Sequence, residues 1–177
     1  RARIVGPALT VRTFPADSLM IHKAVTLARP GDVLVVSAGG YRDAAVFGDL
    51  LGYSCKVHGL AGVVIDGASR DAEGMAAINF PVFARAVLPM GSLQDAPGSI
   101  NVPVSCGGVA VRPGDIVVGD GDGVVVVPAE DAPDVLAQAQ AVMAEEQQTR
   151  ERLTTGEYLY DMLKLADVLK SLGVAER

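Results

Sequence analysis

The sequence has little of what nucleic-acid-binding, membrane and disulfide-stabilised proteins depend on. Its 15 Lys and Arg residues are outnumbered by 21 Asp and Glu, and no basic cluster occurs, which argues against a nucleic-acid partner. No apolar run approaches the roughly 20 residues of a membrane span, and no secretory signal pattern follows the first residues. Two cysteines are too few for a disulfide framework. We therefore expect a cytoplasmic protein with no nucleic-acid or membrane partner.

Several familiar binding motifs are also missing. There is no G-x-G-x-x-G and no Walker lysine, so a dinucleotide or P-loop nucleotide site is not expected. The Cys55-x-x-His58 pair lacks the further ligands of a zinc site. Asp120-x-Asp122-Gly123 lacks the remaining ligands of a calcium loop and is typical of a hairpin turn. His22 and His58 fall in helical patterns, where a structural role is the simpler interpretation.

The chain is rich in apolar residues, which make up 50% of its 177 residues and are enough for a sizeable core. Short Val- and Ile-rich runs bounded by Gly, Pro or Asp predict strands at residues 3–11, 31–38, 59–66, 80–87, 107–111 and 114–128. Helical patterns cover residues 16–28, 44–58 and 70–78, and a charged helix runs from about 130 to 170 with a break near Thr154-Thr155-Gly156. The fold class is therefore α/β, in one domain covering residues 1–177 with a C-terminal helix.

One stretch, VVIDGASRD, places Arg70 and Asp71 side by side just after a buried strand that is predicted to turn at Asp66-Gly67. The simplest interpretation is an ordinary helix start with Ser69 as the N-cap. However, Asp49 in FGDLLG stands twenty residues before Arg70, across a helix, a strand and the next turn. Because a helix returning along a strand brings its start near the end of that strand, these three residues can converge where α/β sheets usually bind ligands.

The motifs of this sequence, in their order along the chain, resemble those of a known family. GPALTV, GDLL, GVVIDGASRD, PVFAR and GGVAVRPGDIVVGDGDGVVVVP, followed by an acidic helix, are similar to the RraA-like family, which includes class II 4-hydroxy-4-methyl-2-oxoglutarate/4-carboxy-4-hydroxy-2-oxoadipate aldolases. The resemblance covers nearly the whole chain. It implies a swivelling β/β/α domain, a homotrimer that can stack into a hexamer, and a divalent metal, Mg²⁺ being the expected ion. It also implies an N-terminal segment before the first residues of this sequence.

The resemblance implies a role for each matching position. Asp71 corresponds to the metal-binding carboxylate, and Arg70 to the residue that holds the carboxylate of pyruvate. The backbone amides of Gly48-Asp49-Leu50-Leu51 correspond to the loop that contacts that ligand, and Asp49 to the residue that orients a metal-bound water. Glu146 is the best match to a glutamate that reaches a neighbouring subunit's site, with Glu145 as the alternative.

The function implied is a metal-dependent pyruvate aldolase acting on a 4-hydroxy-2-oxo dicarboxylic acid, because a Lewis acid beside a guanidinium stabilises a pyruvate enolate. A Schiff-base mechanism is disfavoured because the four lysines fall on polar-looking helical faces. Oxaloacetate decarboxylation passes through the same enolate and stays open. So does the rival class, a regulator that binds and inhibits a ribonuclease complex, although retention of Asp71 beside Arg70 favours the enzyme. The natural substrate is not identified by the sequence.

Overall fold

The computed structural model describes residues 3–174, and its contacts form two compact units, Arg1–Ala132 and Pro133–Arg177. The first unit contains the strands and three helices, and the second is helical. The prediction that residues 1–177 form one domain stays a prediction.

The first unit alternates strands and helices in its first half and is mostly strand in its second half. Its strands are β1 (Ile4–Arg12), β2 (Val33–Phe47), β3 (Gly62–Ser69), β4 (Val82–Val87), β5 (Ser99–Ile100), β6 (Val104–Cys106), β7 (Val109–Val111), β8 (Ile116–Gly119) and β9 (Val124–Val127). Its helices are α1 (Leu19–Val25), α2 (Asp49–Val57) and α3 (Ala72–Ala77), and a 3-10 turn spans Ala129–Asp131.

Seven of the strands form one mixed sheet in the order β4-β3-β2-β1-β8-β9, with β5 also paired to β1. Strands β1 to β4 run parallel to one another, whereas β8 pairs antiparallel with both β1 and β9, and β5 pairs antiparallel with β1. Each parallel step is made through one helix, which is the βαβ arrangement. The carboxyl ends of β2 and β3 therefore lie at one edge of the sheet, beside the starts of α2 and α3.

Both faces of the sheet are buried. Along β2, Leu34 and Val36 belong to a core shared with the helices, while Val33 and Val35 belong to a second core shared with β6, β7 and β8. Alternate residues of a strand point to opposite faces, so a strand covered on both sides reads as a continuous apolar run. This explains why apolar and polar residues do not alternate in GDVLVVSA.

The α/β class, with its sheet and C-terminal helices, is confirmed, and so are all the predicted strands. The predicted hairpin at Asp120 to Gly123 is confirmed as well, because the Asp120 N–H donates to the Gly123 carbonyl at 2.9 Å and joins β8 to β9.

Two local predictions are wrong. Ala44–Phe47 is the end of β2 rather than the start of a helix, because Ala45 pairs with Ala68 and Phe47 with Ser69. Asp66-Gly67 is not a turn but the interior of β3, where Asp66 is opposite Ser37 and its carboxylate is paired with Arg85.

The second unit contains α4 (Ala132–Thr154), α5 (Leu159–Met162) and α6 (Leu165–Ser171). The break predicted near Thr154-Thr155-Gly156 is confirmed by the end of α4 at Thr154. No residue of α4 is buried, and its apolar positions Val135, Leu136, Val142 and Met143 are all exposed. Within residues 3–174, none of the helices combines the length and apolar character required to cross a bilayer.

Candidate active site

Arg70 and Asp71 lie at the junction between β3 and α3. The Arg70 N–H donates to the Phe47 carbonyl at 2.9 Å, which ties the end of β3 to the end of β2. Asp71 has the left-handed conformation, with φ 58° and ψ 42°, that Asp tolerates better than most residues. Ser69 is not an N-cap, since it ends β3 and its hydroxyl donates to the Phe47 carbonyl. A left-handed residue at a strand end is the kind of constraint found at functional sites.

The structure brings Asp49, Arg70 and Asp71 into contact. Asp71 Oδ2 lies 3.2 Å from Arg70 Nε and accepts the Asp49 N–H at 3.3 Å, while Asp49 Oδ1 accepts the Leu50 N–H at 2.7 Å. Two carboxylates thus occupy the N-terminus of α2, which the helix dipole favours. Because the Arg70 and Asp71 side chains are 45% and 37% exposed, their ion pair adds at most about 1 kcal/mol to stability. The arrangement is therefore not explained by its contribution to folding.

Three glycines allow these side chains to pack closely. A Cβ on Gly48 would lie 2.7 Å from Asp71 Oδ2 and 2.9 Å from Arg70 Nε, and a Cβ on Gly91 would lie 2.9 Å from Arg70 Nη1. A Cβ on Gly74 in α3 would lie 3.1 Å from Asp49 Oδ2. The guanidinium and both carboxylates therefore fit only because the backbone around them carries no side chain.

A cavity of about 210 Å³, which we call the Arg70 cavity, opens beside this cluster. Four of the residues that the sequence assigns to the site line this cavity: Gly48, Leu50, Leu51 and Arg70. Asp49 and Asp71 do not line it, but Gly48, which does, lies next to both: a Cβ on Gly48 would be 2.7 Å from Asp71 Oδ2, and Asp49 is the next residue. The terminal nitrogens of Arg70 have no hydrogen-bond acceptor within residues 3–174, and these are the groups that grip a carboxylate in a bidentate pair. The cavity can therefore hold a small anion against Arg70.

The donor set of the cluster fits a magnesium ion. Asp71 and Asp49 supply oxygen atoms on neighbouring backbone segments, and the part of the chain that the structure describes holds no group of three His, Cys, Asp or Glu residues able to bind a metal. Magnesium is often held by one or two carboxylates and keeps several waters, which a chelating ligand can replace. Zinc, in contrast, takes nitrogen and sulfur ligands that this cluster lacks.

The other reactive side chains do not contribute to this cavity. Burial raises the pKa of Cys55 to about 12, and burial together with the charge of Asp66 raises that of Cys106 to about 11, so neither is a thiolate nucleophile at neutral pH. None of Lys23, Lys56, Lys164 or Lys170 lines it, and Lys164 precedes α6 instead of lying on a helical face. No Schiff-base lysine is therefore available within the Arg70 cavity.

Glu146 lies on α4 in the second unit. Its carboxylate is exposed and pairs with Arg150 one turn later at 2.9 Å. Its neighbour Glu145 accepts a hydrogen bond from the Thr149 hydroxyl through its backbone carbonyl. Their assignment to a neighbouring subunit's site stays a prediction.

Sequence reasoning did not find the remaining polar residues of the Arg70 cavity. Ser18, His22, Ser92 and Gln94 line it, from the start of α1 and from the loop after β4. His22 had been interpreted as structural, and the loop residues follow no periodic pattern. The i, i+4 spacing of Ser18 and His22 was the one available signal, since it places both on the same face of a helix.

Comparison with known proteins decides the family. The model of the RraA-like family, described as Aldolase/RraA, matches residues 1–126. The chain belongs to this family. A protein of Halalkalibacterium halodurans with the provisional name 4-hydroxy-4-methyl-2-oxoglutarate aldolase is 45% identical over 150 residues, covering 85% of this chain and 71% of that protein.

Two solved structures of relatives share the fold of this family member. An uncharacterised protein from Pseudomonas syringae pv. tomato superposes with a TM-score of 0.80 at 32% identity, over 90% of this chain and 77% of that one. The RNA-processing inhibitor RraA from Thermus thermophilis superposes with a TM-score of 0.68 at 34% identity, over 72% of this chain and 77% of that one. The family thus includes one relative named as an aldolase and another named as an inhibitor. The choice between these two functions therefore depends on the chemistry of the site.

Proposed function

We propose that the chain is a divalent-metal-dependent aldolase that cleaves a 4-hydroxy-2-oxo dicarboxylic acid into pyruvate and a second oxo acid, with oxaloacetate decarboxylation as a related activity. The observation that carries this proposal is the contact between Asp71, Arg70 and the N-terminus of α2 beside the Arg70 cavity. It supports the proposal because a cation, an oxygen-donor carboxylate and a small cavity are the parts that enolate chemistry requires.

Each residue has a task that follows from its position. The free terminal nitrogens of Arg70 bind the C1 carboxylate of the substrate, so that its 2-oxo group lies near Gly48 and Asp71. Asp71 and Asp49 are the residues that would hold a divalent ion, Asp71 directly and Asp49 through water. When bound, the ion supplies a Lewis acid that polarises the 2-oxo group.

Cleavage breaks the C3–C4 bond, and its electron pair becomes the enolate of pyruvate while the 4-hydroxyl proton is removed. Arg70 stabilises the negative charge that develops at this end of the substrate. The proton passes to a water oriented by Asp49, with a carboxylate as relay, and Glu146 of a neighbouring subunit, with Glu145 as the alternative, lies near that water. Return of the proton taken from the 4-hydroxyl to C3 of the enolate then completes pyruvate.

Replacing Arg70 with lysine is expected to weaken the binding of oxalate, a mimic of the enolate, by about tenfold to a hundredfold. A lysine keeps the charge but cannot form two parallel hydrogen bonds, and a hydrogen bond to a charged group is worth roughly 1.5–3 kcal/mol. Titration calorimetry in the presence of Mg²⁺ measures the affinity. Arg42→Lys makes the same change at an exposed arginine outside the cavity, and should bind oxalate normally. Unchanged affinity in the Arg70 variant would remove Arg70 from the binding site.

The active unit on this proposal is a homotrimer whose sites each combine Asp71 of one subunit with Glu146 of the next. Asp71→Asn and Glu146→Gln proteins should each be inactive, and mixing them should restore part of the activity, because some sites in mixed trimers carry neither defect. Subunit exchange is verified by mass spectrometry, and pyruvate release is measured before and after mixing. Mixing with Glu145→Gln in place of Glu146→Gln decides between the two glutamates. Verified exchange without recovery in either mixture would show that these glutamates do not act across the interface.

The second candidate is a regulator that binds a ribonuclease without chemistry, and the likeness to the Thermus inhibitor favours it. A panel of 4-hydroxy-4-methyl-2-oxoglutarate, 4-carboxy-4-hydroxy-2-oxoadipate and oxaloacetate, each assayed for pyruvate with Mg²⁺, separates the possibilities. We expect pyruvate from at least one hydroxy acid. Pyruvate from oxaloacetate alone would identify a decarboxylase, and none from any of the three would favour the regulator.

A further inference from the structure

Part of the lining of the Arg70 cavity, which we call its polar wall, is polar. Ser18, His22, Ser92 and Gln94 line it, together with apolar residues of β2 and α2, and no Asp or Glu lines it. A cavity with one guanidinium, one imidazole and no carboxylate favours a ligand that carries negative charge. Its volume of about 210 Å³ is smaller than that of cavities that bind drug-sized ligands. The ligand that fits is therefore a small acid.

This wall is fixed by its own hydrogen bonds. The Ser92 hydroxyl donates to Ser18 Oγ at 3.0 Å, and the Gln94 amide donates to the same oxygen at 3.1 Å. The Ser18 hydroxyl in turn donates to the Leu93 carbonyl at 3.3 Å. The three side chains thus hold the loop after β4 against the start of α1, and each has a donor group engaged in this contact.

Asp17, beside Ser18, anchors the same loop. Asp17 is 2% exposed, and its carboxylate accepts the N–H groups of Leu19, Asp95 and Ala96 at 2.8, 2.8 and 3.0 Å. Burial alone would raise the pKa of Asp17, but the backbone hydrogen bonds outweigh it and lower the pKa below its ordinary value. A hydrogen-bonded, ionised Asp17 therefore holds the loop after β4 beside the start of α1.

His22 differs from the other polar residues of the wall. It lies one helical turn after Ser18, to whose carbonyl its N–H donates at 3.1 Å, and its side chain is exposed. Within residues 3–174 its ring has no hydrogen-bond partner. The imidazole is therefore the polar group of this wall that is available to a ligand held at Arg70.

We infer that His22 binds the distal carboxylate of the substrate, at the end opposite the carboxylate held by Arg70, and so selects dicarboxylic over monocarboxylic 2-oxo acids. The inference rests on the proposed function for the Arg70 end of the site. It follows from the positions of the two side chains, which line the same small cavity from two different elements, His22 from α1 and Arg70 from the residue after β3. The hydrogen-bonded Ser18, Ser92 and Gln94 hold the wall in which His22 stands.

The inference is tested with two acids that differ only at the distal end and lack the 4-hydroxyl group, so that neither can be cleaved. These are 2-oxoglutarate and 2-oxopentanoate, titrated calorimetrically with Mg²⁺ present. The unmodified protein should bind 2-oxoglutarate about tenfold or more tightly than 2-oxopentanoate, the usual effect of a hydrogen bond to a charged group. His22→Ala should lose this preference by weakening the binding of 2-oxoglutarate alone.

Lys23→Ala is the matched control, because Lys23 is the next residue of α1, is exposed and does not line the cavity. It removes a cation from the same helix, so a change in this variant equal to that of His22→Ala would reveal a general charge effect and overturn the inference. Unchanged binding of 2-oxopentanoate by His22→Ala shows at the same time that the variant is folded.

Turnover of 4-hydroxy-2-oxoglutarate separates this inference from the proposed function. A His22-dependent preference without any pyruvate release by the unmodified protein would support the inference and contradict the aldolase. Pyruvate release with equal affinities for the two acids, or with a preference that survives His22→Ala, would overturn the inference and leave the aldolase standing.

Discussion

Replacing Asp71 with asparagine is expected to abolish magnesium-dependent pyruvate release, lowering kcat/KM on the order of a thousandfold or more. The carboxylate that anchors the ion is lost, and a Lewis acid contributes several kcal/mol to transition-state stabilisation, with each 1.4 kcal/mol worth about a factor of ten. The measurement is steady-state pyruvate release over a range of Mg²⁺ concentrations.

The fold should survive this substitution. Asn adopts the left-handed conformation of residue 71 as readily as Asp, and the lost contacts with Arg70 and the Asp49 N–H are exposed. Asp122→Asn, the same change at the exposed hairpin between β8 and β9, should keep full activity. Near-normal activity of the Asp71 variant at limiting Mg²⁺ would contradict the assigned metal site.

Replacing Gly48 with alanine is expected to produce a folded protein with little activity. The added methyl group would lie 2.7 Å from Asp71 Oδ2 and 2.9 Å from Arg70 Nε, so both side chains must move away. Because they are long or exposed at their ends, the movement costs little stability, but displacing catalytic groups by about 1 Å can reduce the rate about a hundredfold. Pyruvate release and the thermal unfolding midpoint are measured together.

Gly121→Ala is the control for the glycine substitution. A Cβ at Gly121 meets no atom within 4 Å, so this variant should match the unmodified protein in activity and in unfolding temperature. An active Gly48→Ala protein would show that the positions of Arg70 and Asp71 in this structure are not required for turnover. A Gly48→Ala protein that fails to fold would show that the glycine serves the packing of β2 and α2 instead.

The elements that local chemistry determines could be read from the sequence. Val-rich runs between Gly and Pro became strands, Asp120 to Gly123 became a hairpin turn, and the polar amphipathic tail became α4 with its break at Thr154. Where pairing between strands distant in sequence determines the secondary structure, the local sequence pattern predicts the wrong element. Ala44–Phe47 has a short apolar pattern compatible with either structure, and its pairing with Ala68 and Ser69 made it strand.

The candidate site divides in the same way. Asp49, Arg70 and Asp71 could be grouped because the ends of adjacent strands and the starts of their helices meet at one edge of a sheet. His22, Ser92 and Gln94 could not be grouped with them, because their approach depends on a loop held by Asp17 and Ser18 through hydrogen bonds with no sequence periodicity. The side of the site that selects the substrate is thus the side that only the three-dimensional structure reveals.

The most direct test of the metal-dependent aldolase is pyruvate release from 4-hydroxy-4-methyl-2-oxoglutarate by the unmodified protein, before chelation, after removal of metal with EDTA, and after Mg²⁺ is restored. The account predicts activity that disappears with the metal and returns with Mg²⁺, and no such return in Asp71→Asn. Pyruvate release that persists unchanged after complete metal removal, or that never occurs in the presence of Mg²⁺, would contradict it.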